Sequence, residues 1–142
     1  MISHEQAIAN LIYRYAFLVD DGDFAGLGTL FADGQLTLNN APAAIGADAV
    51  ERFAHASLRI HNDGTPGTRH VISNVIIEID DDALAAHAEA YYTVFQALPD
   101  FPLQPIACGR YQDRFVRHGD RWIYKEKIVR TGLMGDLSRH RR

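Results

Sequence analysis

Cysteine and tryptophan are the scarcest residues, at one each; Cys108 is the only cysteine, so no internal disulfide can form. A reducing, cytoplasmic setting is the expectation that follows. No stretch comes near the roughly 18 apolar residues of a membrane span, and Met1 to Asn10 has no signal-peptide pattern. No membrane partner is expected. There is no excess of positive charge either. The formal net charge is -4 and the pI about 5.9, which argues against a nucleic-acid footprint. The basic run RHRR at 139–142 reads most simply as a solvated tail. The seven histidines show no HxH, HExxH or paired Cys/His spacing, so no metal centre is expected. GxSxG, GxxxxGK(S/T) and GxGxxG are all missing, and no cofactor is implied.

What remains is a chain of 142 residues, 47% hydrophobic and 23% charged, without repeats, linkers or low-complexity blocks. One domain spanning 1–142 is expected. Ser3 and Gln6 have the spacing of a capping box, followed at helical intervals by Ile8, Leu11, Ile12, Tyr15 and Val19. Asp21-Gly22 ends that helix, and Asp23 can cap a second whose stripe is Phe24, Leu27, Leu30 and Phe31. A short strand over 35–39, a Pro- and Gly-containing loop and a third helix over 47–59 follow. HNDGTPGT at 61–68 breaks the pattern. Strands are then expected over 71–79, 84–96, 106–117 and 121–130, with LPDFPLQP as a long loop and Gly119-Asp120 as a hairpin turn. Helices first and antiparallel strands afterwards make an α+β fold, three helices packed on one sheet face over an apolar hollow.

His70 and Asn74 are four apart on a strand, so they share a face with Ile72 and Ile76. That face is mostly apolar, which points to the helix-covered side. A histidine there suits general base chemistry, and Asp20, at the end of the first helix, is the carboxylate that would fix its tautomer. Tyr15, on the buried stripe, would donate to a substrate oxygen. Each residue also has a plainer reading. His70 can be a satisfied core histidine, Tyr15 a core aromatic, Asp20 a cap on the DGD turn, and Asn74 a loop holder. Arg130, near the end of the last strand, suits an anionic substrate group or a surface ion pair. With Asn74 and Tyr92 it completes the candidate substrate-binding set. The last strand puts apolar and charged residues on both faces, so its periodicity does not say which face is covered.

IANLIYRYAFLVDDGDFAGLGTLFAD resembles the opening of SnoaL-like proteins of the nuclear transport factor 2-like superfamily. TRHVISNVIIEID looks like that family's central H-x-x-x-N strand, and GDRWIYKEKIVR resembles its closing G-x-W-x-I strand. The resemblance implies a cone-shaped α+β barrel of three helices over a strongly curved, mostly antiparallel sheet. The branch that looks similar holds scytalone dehydratase and bile acid 7α-dehydratase. There a tyrosine and an aspartate of the first helix face a histidine of the central strand, positions matched by Tyr15, Asp20 and His70. Arg130 falls where the bile acid enzyme supplies a pocket arginine, and His87 is the nearest match to a second histidine of scytalone dehydratase. The resemblance implies a cofactor-independent lyase or isomerase acting on a cyclic ketone, polyketide, steroid or aromatic compound, and a homo-oligomer, dimer or trimer. Two alternatives share the fold: the non-catalytic β subunit of an aromatic-ring-hydroxylating dioxygenase, and a protein that only binds a small hydrophobic ligand.

Overall fold

The structure, a computed structural model, describes all of residues 1–142. Three helices are formed: α1 (His4–Asp20), α2 (Phe24–Leu30) and α3 (Ala47–Ser57). Six strands make one sheet: β1 (Gln35–Leu38), β2 (Ala41–Ile45), β3 (Thr68–Ile79), β4 (Ala85–Leu98), β5 (Phe101–His118) and β6 (Arg121–Met134). Their order is β2-β1-β6-β5-β4-β3, antiparallel throughout except where β1 runs parallel to β6. The expected α+β architecture of three helices on one sheet is what is observed.

Local chemistry explains the boundaries. Ser3 Oγ accepts from the Gln6 amide at 3.1 Å, while the Gln6 side chain donates forward to Asn10. Only half of the capping box is therefore made. Asp23 caps α2 by accepting from the Gly26 amide at 2.9 Å. Gly22, just past α1, has φ +72°, the left-handed turn that glycine makes cheaply.

Two segments depart from the sequence reading. APAAI at 41–45 is a strand, not a loop, at the sheet edge where Pro42 costs no central ladder bond. LPDFPLQP is not a long loop: Leu98 pairs with Phe101 across a tight turn, and β5 begins there. Pro102 and Pro105 are tolerated because β5 runs past the last pair with β6, Ala107 with Met134.

Phe24, Phe31, Tyr15, Tyr92, Tyr111, Phe115, Trp122 and Tyr124 fill the space between helices and sheet. Tyr92 stacks on Tyr111 with ring centres 4.5 Å apart, and Tyr15 meets Tyr111 edge-on at 5.8 Å. Within this cluster Lys127 is fully buried, 3.1 Å from Asp113 Oδ2 and 3.3 Å from the Tyr111 ring centre. Tyr124 also donates to Asp113 at 3.1 Å. Burial lowers the Lys127 ammonium to about 8 and raises the Asp113 carboxyl, each pushed toward its neutral form and held back by the other.

After β6 the chain folds back over one end of the barrel. Arg141 bridges Leu58, the Arg59 amide donates to the His140 carbonyl at 2.9 Å, and the Arg142 amide donates to Ser57 at 3.0 Å. RHRR is therefore not a free tail. His140 is 9% exposed, and its pKa falls from the ordinary 6.5 to about 4. Burial is the main cause; the nearby His70, Arg141 and His61 add to it and Asp20 opposes it.

Removing one partner of the buried pair strands a charge, so Lys127→Met should cost about 3–5 kcal/mol. The double change Lys127→Met with Asp113→Leu should cost much less, read by urea unfolding; equal costs would show the pair to be energetically idle. Between pH 4 and 6.5 the unfolded chain holds the extra proton at His140, so stability should rise with pH across that window, by roughly 2–3 kcal/mol. His140→Phe should flatten that rise, measured by unfolding at several pH values; an unchanged slope would assign it to other groups.

Candidate active site

Asp20 is the last residue of α1 and His70 the third of β3, and both side chains are 8% exposed. The carboxylate takes three donors. Oδ1 accepts from Thr68 Oγ1 at 2.8 Å and from His70 Nδ1 at 2.6 Å, and Oδ2 accepts from the His70 backbone amide at 2.8 Å. Because a carboxylate can only accept, the short bond to the ring places the proton on Nδ1. Nε2 then carries the lone pair, and no group of the chain bonds to it. Asp20 is thus no cap for the DGD turn, whose bonds are made by the backbone and by Asp23.

Both residues line a groove between α1 and the edge strand β3, with a volume of about 460 Å³. Ala16, Asp20, His70 and Ile72 form part of its lining, with Tyr13, Phe17, Asp21 and Arg69 around them. Tyr13 and Phe17 are one helical turn apart on α1, and Phe17 is 68% exposed. Arg69 donates to the Thr68 carbonyl at 2.8 Å through Nη1 only.

The other expected site residues lie elsewhere. Tyr15 lies on the neighbouring, core-facing stripe of α1, away from Tyr13 and Phe17, packed among Phe31, Tyr111 and Lys127. Its hydroxyl is held above the usual phenol range, chiefly by burial. Tyr15 is therefore a core aromatic and not part of the groove. The expected common face of His70 and Asn74 is broken by a bulge. Ser73 pairs with Tyr91 and Ile76 with Glu89, so β3 carries one extra residue there, and Asn74 has φ +56°. Before the bulge Thr68, His70 and Ile72 turn inward; after it Val75, Ile77 and Ile79 do, leaving Asn74 and Ile76 exposed. Tyr92 and Arg130 border a separate cavity of about 670 Å³ beside Gly109. There Arg130 is engaged with Gln112 and Asn40. His87 is exposed and paired with Glu78 at 2.9 Å, away from the groove. The apolar hollow expected between helices and sheet is occupied by the aromatic cluster, and the groove opens at the sheet edge instead.

Sequence reasoning missed Tyr13, Phe17 and Arg69. The available signal was the second stripe of α1, Tyr13, Ala16, Phe17 and Asp20, which runs beside the buried one at the same spacing.

No curated protein matches the chain in sequence. Among solved structures, the fold is similar to an NTF2-like protein with a cystatin-like fold from Novosphingobium aromaticivorans. The two are 19% identical with a TM-score of 0.75, covering 95% of this chain and 86% of that one. It is also similar to a proposed scytalone dehydratase from the same organism, 22% identical with a TM-score of 0.71 over 93% and 86% of the two chains. A third similar structure is a proposed aromatic ring hydroxylase of that organism, 20% identical with a TM-score of 0.72 over 98% and 99%. Residues 1–127 match the model of the SnoaL-like domain, and with the helix-covered curled sheet this places the chain in the SnoaL-like family of the NTF2-like superfamily.

Proposed function

We propose that the protein is a cofactor-independent lyase or isomerase that removes a proton beside the carbonyl of a cyclic, largely apolar ketone. The observation that carries this reading is the 2.6 Å bond between Asp20 and His70 Nδ1, which leaves Nε2 unpaired in a ligand-sized groove. Nε2 takes the proton from carbon, and the electron pair moves to the carbonyl oxygen. Asp20 stabilises the imidazolium so formed without itself taking the proton. Arg69, whose guanidinium has donors to spare, faces the developing oxyanion. In a β,γ-unsaturated ketone the electron pair is spread over a dienolate, and return of the proton to its γ carbon completes an isomerisation. Return of the proton to a departing β-hydroxyl releases water and leaves the unsaturated ketone. Tyr13 and Phe17 supply flat apolar walls suited to a ring. A similar structure carries the name of a proposed scytalone dehydratase, and loss of water is one of the two outcomes described above. A purely scaffolding role would use the bonds that Asp20 accepts but would give the unpaired Nε2 of His70 no task.

Exchange of the protons next to the carbonyl of 1-tetralone in D2O, followed by NMR, tests the reading without knowledge of the natural substrate. Catalysed exchange should fall by about 10²–10⁴ in His70→Ala and substantially in Asp20→Asn. Absence of exchange with the wild type across a panel of cyclic ketones, or exchange that survives His70→Ala, would overturn it. Phe17 is mostly solvent-exposed, so Phe17→Ala should change stability by no more than about 0.5 kcal/mol. The same variant should weaken ketone binding several-fold, measured by titration; unaltered binding would remove Phe17 from the site.

A further inference from the structure

The face of the sheet turned away from the helices carries a polar row that takes no part in the groove. In the register of the four long strands, Ser73 stands beside Tyr91, Tyr91 beside Arg110, and Arg110 beside Arg130. Tyr91 and Arg110 are exposed while their chain neighbours Tyr92 and Tyr111 are buried in the aromatic cluster, so the row lies on the open face. Like charges directly opposite on adjacent strands repel. Yet neither arginine is paired with a carboxylate, in a chain holding 18 acidic residues against 14 Lys and Arg. Glu89, on the same face, stands opposite Gln112 and borders a different cavity. Arg130 is anchored: Nε donates to Gln112 and Nη1 to the Asn40 side chain at 3.1 Å, which leaves Nη2 without a partner. Arg110 lies 5.4 Å from the Tyr91 ring centre, and its one side-chain hydrogen bond is a long one, 3.5 Å from Nη2 to the Tyr91 hydroxyl. Both arginines line the cavity of about 670 Å³, together with Ser73, Thr93 and Leu133. A Cβ at Gly109, the residue before Arg110, would lie 2.3 Å from the Arg130 carbonyl, so glycine there lets the two arginine-bearing strands close up.

We propose that Arg110 and Arg130 form an oxyanion site, separate from the groove, that takes the carboxylate or phosphate of a small, partly apolar molecule. Both anions present oxygens at the spacing of a guanidinium fork, and the bonds they accept from it are charge-assisted. The bound anion supplies the negative charge that the chain itself withholds, and it turns the repulsion between the two arginines into a shared attraction. Arg130 loses little freedom on binding because Gln112 and Asn40 already hold it. The hydroxyls of Tyr91 and Ser73 are further donors along the same row. Leu133 is 77% exposed at the cavity, and it offers the contact that favours an organic anion over an inorganic one. A neutral ligand leaves both charges uncompensated, and a cation is repelled. The site shares no residue with the α1–β3 groove, so it stands independently of the ketone reading.

The test titrates the intact chain with phenyl phosphate, benzoate and benzyl alcohol, following the arginine side-chain N–H signals by two-dimensional NMR. The anions should shift the Arg110 and Arg130 signals, and the alcohol should not. Tighter binding of phenyl phosphate identifies a phosphate ester as the ligand class, and tighter binding of benzoate identifies a carboxylate. Arg110→Gln and Arg130→Gln should each weaken anion binding by about tenfold or more. Arg14→Gln, which alters a residue lining a different cavity, should leave it unchanged. If Arg130→Gln fails to fold, Arg110→Gln decides, since it gives up only the long bond to Tyr91. Absence of any shift with both anions overturns the proposal. So do equal shifts with benzyl alcohol, or an affinity unmoved by Arg110→Gln. A dimer in sedimentation that Arg110→Gln dissociates, in a chain that binds neither anion, also overturns it and assigns the arginines to carboxylates of a second copy.

Discussion

The Asp20 carboxylate is the joint on which the site depends. Its three acceptor bonds tie the C-terminal end of α1 to the first residues of β3, and hydrogen bonds to a charged group contribute about 1.5–3 kcal/mol each. The same bonds settle the chemistry. Two of them, from the Thr68 hydroxyl and the His70 amide, fix where the carboxylate points. The third then fixes the proton on Nδ1 and leaves Nε2 bare. A carboxylate at the negative end of a helix dipole is unfavourable in isolation, and these donors supply the compensation.

The barrel interior does a different job. Tyr15, Tyr111 and Tyr124 surround the Lys127–Asp113 pair, Tyr92 stacks on Tyr111, and what would be a hollow becomes a rigid wall behind the groove. A buried ion pair is a poor source of net stability, but it is intolerant of rearrangement because either charge alone is costly. The chemistry is thereby confined to the sheet edge, where α1 and β3 meet and where residues 136–142 close the end of the barrel.

Much of this was legible in the sequence. The first two helices followed from capping residues and 3.6-residue stripes, the third was placed after the Pro- and Gly-containing loop, and the pairing of Asp20 with His70 followed from the resemblance of both segments to a known family. Two of the failures lie at bulges. One extra residue in β3 near Asn74 reverses the face, so the equal spacing of His70 and Asn74 misled. A second shift, where Arg114 pairs with Glu126 but Phe115 with Tyr124, turns Trp122 and Tyr124 inward before it and Lys127 and Val129 after it. That is why β6 read as mixed on both faces, and why Lys127 was not recognised as a core residue. Tyr15 was misplaced for another reason. Helical periodicity separates buried from exposed but does not say which of two adjacent stripes borders a groove. His140 carried no local signal at all, because its burial comes from contacts with residues about eighty positions away.

The account turns on the proton of His70, and the most direct measurement is the side-chain nitrogen spectrum of its ring by two-dimensional NMR at neutral pH. A protonated Nδ1 with a strongly deshielded proton and a bare Nε2 is the expected result, with that proton signal lost in Asp20→Asn. A ring protonated on Nε2, or a spectrum indifferent to the loss of the carboxylate, would contradict the assignment of His70 as the base.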